Sequence, residues 1–218
     1  MISMEFVSTG LVIVYVIITL VLMIIAGLII FFIIKKLLSP TRAKQQATIL
    51  PVHGKHPQFG KNCFFAPNAT IVGDVAVGDE CTFWFNSVVR GDVNFIKIGN
   101  KVNVQDGAVI HCTYQKSPTI IGNNVSIGHQ AIVHGCTIHD DVLIGMGAIV
   151  MDRSIVNSNV IIAAGAVVTE DTIVESNTIY AGIPAKKVKD LNDSYMKDAI
   201  PRIANNYVQY ASWFQEKR

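Results

Sequence analysis

The chain has 218 residues, of which 50% are hydrophobic and 16% charged, with a formal net charge of +2. That length holds one good-sized domain plus an appendage, and the near balance of charge argues against a dedicated nucleic-acid binder, whose phosphate contacts need a basic surface. The cysteines, Cys63, Cys81, Cys112 and Cys136, have no C-x-x-C spacing and read as small buried apolar side chains, kept reduced in a cytoplasmic setting.

Residues 6–34 contain no charged side chain. As a helix they would extend about 43 Å at about 1.5 Å per residue, more than the roughly 30 Å hydrocarbon core of a bilayer. Residues 1–38 are therefore expected to form a single-pass transmembrane anchor. A buried core helix would show a polar face, and this segment has none. A cleaved signal peptide would have a basic start and a shorter apolar run, whereas MISMEF holds no Lys or Arg and no A-x-A-like site follows. Lys35, Lys36, Arg42 and Lys44 crowd the far end and only Glu5 precedes the span. The positive-inside rule then expects the globular part on the cytoplasmic side of the membrane. A translation start further along the chain, which would omit the anchor, is the remaining alternative.

Residues 39–63 read as a linker and lead-in containing Gly and Pro. Its His53 and His56, despite their H-x-x-H spacing, read as surface histidines, as does His139.

From Phe65 onward an aliphatic or aromatic residue recurs every six positions: Phe65, Ile71, Val77, Phe83, Val89, then Ile98, Val104, Ile110, then Ile121, Ile127, Val133, then Ile138 through to Tyr180 without a break. This period fits neither an amphipathic helix nor an alternating strand, but it fits a chain that turns a corner every six residues. Three sides close a triangular coil of about 18 residues, so residues 64–184 are expected to be an all-β, parallel β-helix with the recurring residues inside. The pattern resembles the hexapeptide-repeat proteins. The left hand of the β-helix is expected on that resemblance alone, because the usual crossover rule would give the opposite hand. After AGIPAKKV the period changes, and Ile200, Ile203, Tyr207, Tyr210 and Phe214 lie at helical spacing, with Asp198 as cap and Pro201 in the first turn. Residues 185–218 are accordingly expected to form an amphipathic C-terminal helical segment.

The breaks in the repeat carry the chemistry. From Ile110 to Ile121 is eleven residues, one side plus a five-residue extension, and YQKSPT supplies the loop. On that count Ile110 and Val133 share a face, and His111 and His134, each one place further on, stack on adjacent coils about 4.8 Å apart. His129 follows Ile127 by two places and belongs to the neighbouring face. A threefold arrangement of prisms would bring His129 of one copy to His111 and His134 of the next. Three imidazoles leave a tetrahedral metal one open position, which is the catalytic pattern. Zn2+ suits such a site, as do Fe2+ and Co2+ in a reducing cytoplasm.

RGD at residues 90–92, NVQDGAVIH at residues 103–111, GHQAIVHG at residues 128–135 and YAGIPAK at residues 180–186 together resemble, in order and spacing, the gamma-class carbonic anhydrases. The resemblance implies a homotrimer whose metal is held by His111, His129 and His134 across the subunit interface, with ion pairs there among Arg90, Asp92 and Asp106. It implies that Gln105 hydrogen-bonds the reacting hydroxide or bicarbonate, that Asn103 helps build the pocket, and that Tyr180 sits near it. By register alone Tyr180 occupies an inward slot. The implied reaction is the reversible hydration of CO2 to bicarbonate; the uncharged segment and the basic residues after it, not the resemblance, would place that reaction beside a membrane.

Two positions depart from the family's best-understood members, which carry a glutamate directly after the arginine motif and another, the proton shuttle, in an acidic loop after the first ligand histidine. Here the first is Val93 and the second region is CTYQKSPT. General acid or base help of that kind is often worth about a hundredfold, so hydration here is expected to lean on buffer or a water chain. The rival expectations are a transferase or thioesterase acting on acyl-CoA on the same fold, and a non-catalytic assembly subunit of a membrane complex.

Overall fold

Helix α1 (Ser3–Leu38) opens the computed structural model, which describes residues 3–38, 46–191 and 194–215. The stretch Val14–Lys35 within it has a mean hydropathy of 3.3 and no buried share, so it is long and apolar enough to cross a bilayer. Its apolar residues surround the helix and leave no polar stripe. The chain divides after Lys44 into this helical unit and a second, larger one.

In the second unit the six-residue period becomes a parallel β-solenoid of about seven coils. Phe65, Phe83, Val104, Ile127, Ile144, Ile162 and Tyr180 pair in register down the first face. Ile71, Val89, Ile110, Val133, Val150 and Val168 do so down the second. Val77, Ile98, Ile121, Ile138, Val156 and Val174 line the third. All but Phe65 are buried, and Ile127, Ile144 and Ile162 are at 0% exposure, each contributing about 1.5–3 kcal/mol by burial. The strands Thr70–Val77 and Val88–Ile98 run around a corner and join the second and third faces into one sheet.

The corners explain how so short a strand can turn. At one of them Asn62, Glu80, Lys101, Asn124, Asp141, Asn159 and Asn177 all have φ between 54° and 60°, the left-handed region that Asn and Asp tolerate best after Gly. Beside this column the side chains of Asp79, Asn100, Asn123 and Asp140 form a ladder. Each accepts a backbone N–H from the coil before it, at 2.6 to 2.9 Å. A Cβ on Gly78 would lie 2.4 Å from Asn100 Oδ1, so this close approach of coils requires glycine.

The solenoid departs from expectation at both ends. Thr48–Leu50 pairs with Thr70–Val72 and Gln58–Phe59 with Ala76–Val77, so part of the expected lead-in forms an incomplete first coil. Beyond Pro184, strand Lys186–Asp190 folds back antiparallel on Thr178–Ala181. Helix α2 (Ser194–Gln215) starts before Asp198, which is not its cap, and Pro201 lies inside it rather than in the first turn. α2 runs along the outer side of the first face, with Ile200 and Ala204 buried. Its lower end joins an aromatic cluster in which the Trp84 ring lies 5.2 Å from Phe64, 5.4 Å from Tyr207 and 5.6 Å from Phe214.

Candidate metal centre

The second face brings His111 and His134 together because they are direct partners on adjacent parallel strands, Val109–His111 and Ile132–His134. His111 Nδ1 lies 3.1 Å from His134 Nε2. The outer nitrogens meet carboxylates. His111 Nε2 is 3.0 Å from Asp92 Oδ1, and His134 Nδ1 is 3.2 Å from both oxygens of Asp152. Asp92 also accepts a hydrogen bond from Arg90 Nη1. Hydrogen bonds from His111 and Arg90 outweigh the opposing effect of burial and hold the Asp92 carboxyl below its usual range. Burial, with the nearby Arg90 charge, lowers the pKa of His111 and favours its neutral form.

Three contacts run from Asp92 through the two rings to Asp152, so with both imidazoles neutral, two protons serve three contacts. When both outer nitrogens donate to their carboxylates, the inner pair face one another as lone pairs. Nitrogens 3.1 Å apart suit two ligands of one cation at the usual metal–imidazole distance of about 2.0–2.1 Å.

His129 stands in the turn between the first face and the second, at the far corner of the face that carries His134. It is five residues before His134 on the same coil. One register step below it lies Asp106, whose Oδ2 is 2.9 Å from His129 Nδ1. Gln105 is beside them, 5% exposed. Its Nε2 donates to Asn103 Oδ1 at 2.9 Å, and Asn103 Nδ2 donates to Ser126 Oγ at 2.7 Å. α2 closes this corner, and burial, with the Asp106 charge, pushes the Tyr207 hydroxyl up to about 12. An apolar slot of about 380 Å³ opens next to Gln105 and His129, walled by Leu143, Met146, Ile161, Ile203 and Tyr207.

The expected site residues thus fall into two half-sites, Arg90, Asp92, His111 and His134 in one and Asn103, Gln105, Asp106 and His129 in the other. Among the described residues no group of three or more His, Cys, Asp or Glu side chains within the chain could hold a metal. Tyr180 joins neither half-site. It fills the inward column three coils beyond Ile127, about 14 Å along the axis, and is 7% exposed.

Known proteins resemble this chain in sequence and in fold. Residues 56–91 and 135–170 match the family model described as bacterial transferase hexapeptide (six repeats), and residues 118–151 that of the hexapeptide repeat of succinyl-transferase. A mitochondrial gamma carbonic anhydrase 2 of Arabidopsis thaliana is 38% identical over 169 residues, covering 75% of this chain and 60% of that relative's length. A carbonic anhydrase of Geobacillus kaustophilus is 44% identical over 167 residues, covering 77% of this chain and 91% of that one. The chain belongs to the gamma-class carbonic anhydrase family. Among solved structures, a hexapeptide transferase family protein from Anaplasma phagocytophilum has a TM-score of 0.73 at 35% identity, over 77% of this chain and 98% of that one.

For a gamma-class carbonic anhydrase chain, three neighbours of these residues escape a reading by motif. Asp152 and Thr113 are joined at 2.8 Å and flank the histidine pair, and Tyr207 reaches the second half-site from α2. Asp152 lies directly above Gly135 in register, two positions after Val150, the partner of Val133. Its signal was present as an offset of one coil. Tyr207 is visible in the sequence only as part of the helical stripe. Val93, which directly follows the RGD stretch, is half-buried against the core.

Proposed function

We propose that this chain is a metal-dependent carbonic anhydrase that works as a homotrimer and interconverts CO2 and bicarbonate. The observation that carries the reading is the placing of the two half-sites at opposite ends of one face and at one height along the solenoid. Side-by-side copies related by a rotation parallel to the solenoid axis would bring unlike ends together, and a heterologous contact of that kind closes into a ring. His111 and His134 of one copy with His129 of the next would then hold the metal, zinc or else ferrous or cobaltous ion. Bound there, the ion supplies Lewis-acid activation of water, worth a drop in pKa from about 15.7 to about 7, a magnitude taken from carbonic anhydrase itself.

The chain's own residues fit the remaining tasks. Asn103, fixed by Ser126, holds the amide of Gln105 through its Nε2, which leaves the Gln105 carbonyl oxygen to accept a hydrogen bond from the reacting water and so orient it. Gln105 does not titrate, so this alignment persists through each proton transfer. Asp106 orients the His129 ring through Nδ1. Arg90 is 45% exposed along its side chain and uses one nitrogen on its own Asp92, leaving other donors for Asp106 of an adjoining copy. CO2 is uncharged and apolar, and the slot beside Gln105 suits its approach.

A second reading, transfer or hydrolysis of a small acyl thioester, is favoured by the same slot and by the transferase relative. Stopped-flow CO2 hydration on the metal-assayed protein, alongside His111→Ala, separates the two. Hydration that follows metal content and vanishes in the variant establishes the first, and a fully metallated protein without hydration removes it.

We further infer that α1 is a membrane anchor, with the solenoid on the cytoplasmic side, supported by its hydropathy and by the basic residues after it. Removing residues 1–44 should release the protein from membranes. A truncated protein that stays wholly membrane-bound would show the anchor lies elsewhere.

A further inference from the structure

The geometry points to Asp152 as a positioning residue of the metal centre, holding His134 with its proton on Nδ1 so that the Nε2 lone pair faces the metal. This role rests on the metal reading above and deepens it.

Four observations converge on it. Both Asp152 oxygens lie 3.2 Å from His134 Nδ1, on the side of the ring opposite His111. The carboxylate is itself fixed, because Thr113 Oγ1 donates to Oδ1 at 2.8 Å from the loop that follows His111. Asp152 therefore ties three consecutive coils, those of His111, of His134 and its own. Its side chain is only 15% exposed, so solvent does little to weaken the contact. Finally, the approach has been left open by the backbone, since a Cβ at Gly135 would fall 1.8 Å from Asp152 Oδ1.

The chemistry follows from the tautomer. A neutral imidazole carries one proton, and a carboxylate at Nδ1 keeps it there, which frees Nε2 as a ligand and raises its basicity. Without Asp152 the proton divides between the two nitrogens, and the ring can rotate. Asp92 stands to His111 as Asp152 does to His134, so the histidine pair is held between two carboxylates.

The experiment is metal affinity of the purified full chain in detergent, with Zn2+ and Co2+ as probes and a chromophoric chelator as competitor. Asp152→Asn keeps the shape of the side chain, and Asp152→Ala removes it. Outer partners of metal-bound histidines typically contribute 10- to 100-fold, so both variants should bind about 10- to 100-fold more weakly, with an altered visible spectrum of bound Co2+. Thr113→Val should move affinity in the same direction by less, and Asp152→Glu should recover part of it. Affinity and spectrum of Asp152→Asn equal to those of the wild type would overturn the role while leaving the metal reading intact. A wild-type chain that takes up neither ion removes the centre and the role together. Should Asp152→Ala fail to fold, Asp152→Asn and Thr113→Val still decide the matter.

Discussion

Nδ1 of His111 and Nε2 of His134 face each other at 3.1 Å on adjacent coils, while His129 lies in the turn at the far corner of the same face. No single chain closes this arrangement among its described residues, and the first prediction turns on that division.

Subunits carrying His111→Ala and subunits carrying His129→Ala should each be inactive alone. Mixed and reassembled, they should regain about a quarter of the wild-type metal content and hydration rate, because one pairing in four at a shared interface has all three ligands intact. Metal content after denaturation and joint refolding of the two variants measures this. No recovery would place the whole site within one chain.

Val93 and the loop of residues 112–119 offer no carboxylate to carry the proton away. Hydration is thus expected to rise steeply with the concentration of a small imidazole buffer, and Val93→Glu to lessen that dependence, within the roughly hundredfold range of general acid–base help. Stopped-flow rates across a buffer series at constant ionic strength provide the check. A rate indifferent to buffer would mean that water already relays the proton.

Gly135 has φ +54° and no room for a Cβ. Gly135→Ala should cost about 1–2 kcal/mol for the left-handed backbone alone, and more from displacing Asp152. Thermal unfolding and metal uptake should fall together, whereas Gly147→Ala, at φ +65° with open space around it, should lower stability and leave uptake unchanged.

Cys63 differs from the other cysteines. The neighbouring Cys81 thiol, one coil away, lowers its pKa to about 7 against the opposing effect of burial, and Cys81 is raised by the neighbouring Cys63 thiol and by burial. Burial also pushes Cys112 up to about 11 and Cys136 up to about 12. Iodoacetamide should therefore label Cys63 first, with a rate that rises between about pH 6 and 8 as thiolate forms. Because the folded value is depressed, the ion contributes stability above the unfolded pKa, and this is lost as pH falls through about 7. Peptide mapping after short labelling tests the order.

The recurrence of Ile127, Ile144 and Ile162 made the coils legible in the sequence, since one six-residue period dictates both burial and register. It also foretold the pairing of His111 with His134, because both follow a recurring residue by one place. Asp106 beneath His129, and Asp152 beside His134, also sit at an offset of one coil, so the period places them too, but it does not say which of the many outward side chains at such offsets bond one another. The expected lead-in concealed strand Thr48–Leu50 because it supplies only fragments of a coil. The expected passage to a helix after Pro184 concealed strand Lys186–Asp190, whose five residues are all exposed and carry no inward periodicity. Tyr180 was legible as a core residue by register, and the structure places it there, away from both half-sites.

That last strand has a consequence for the molecule's length. A stack of parallel rungs presents at its end the same unpaired template that each rung offered to the one before, and nothing in the repeat itself says where to stop. Lys186–Asp190 reverses direction against Thr178–Ala181 and brings Lys186, Lys187 and Lys189 to the rim. An incoming coil would meet antiparallel backbone and positive charge, the devices by which exposed edges resist accretion. The first face therefore carries its own terminator, and pairing of a further coil onto that face is opposed by five residues that contribute nothing to the core.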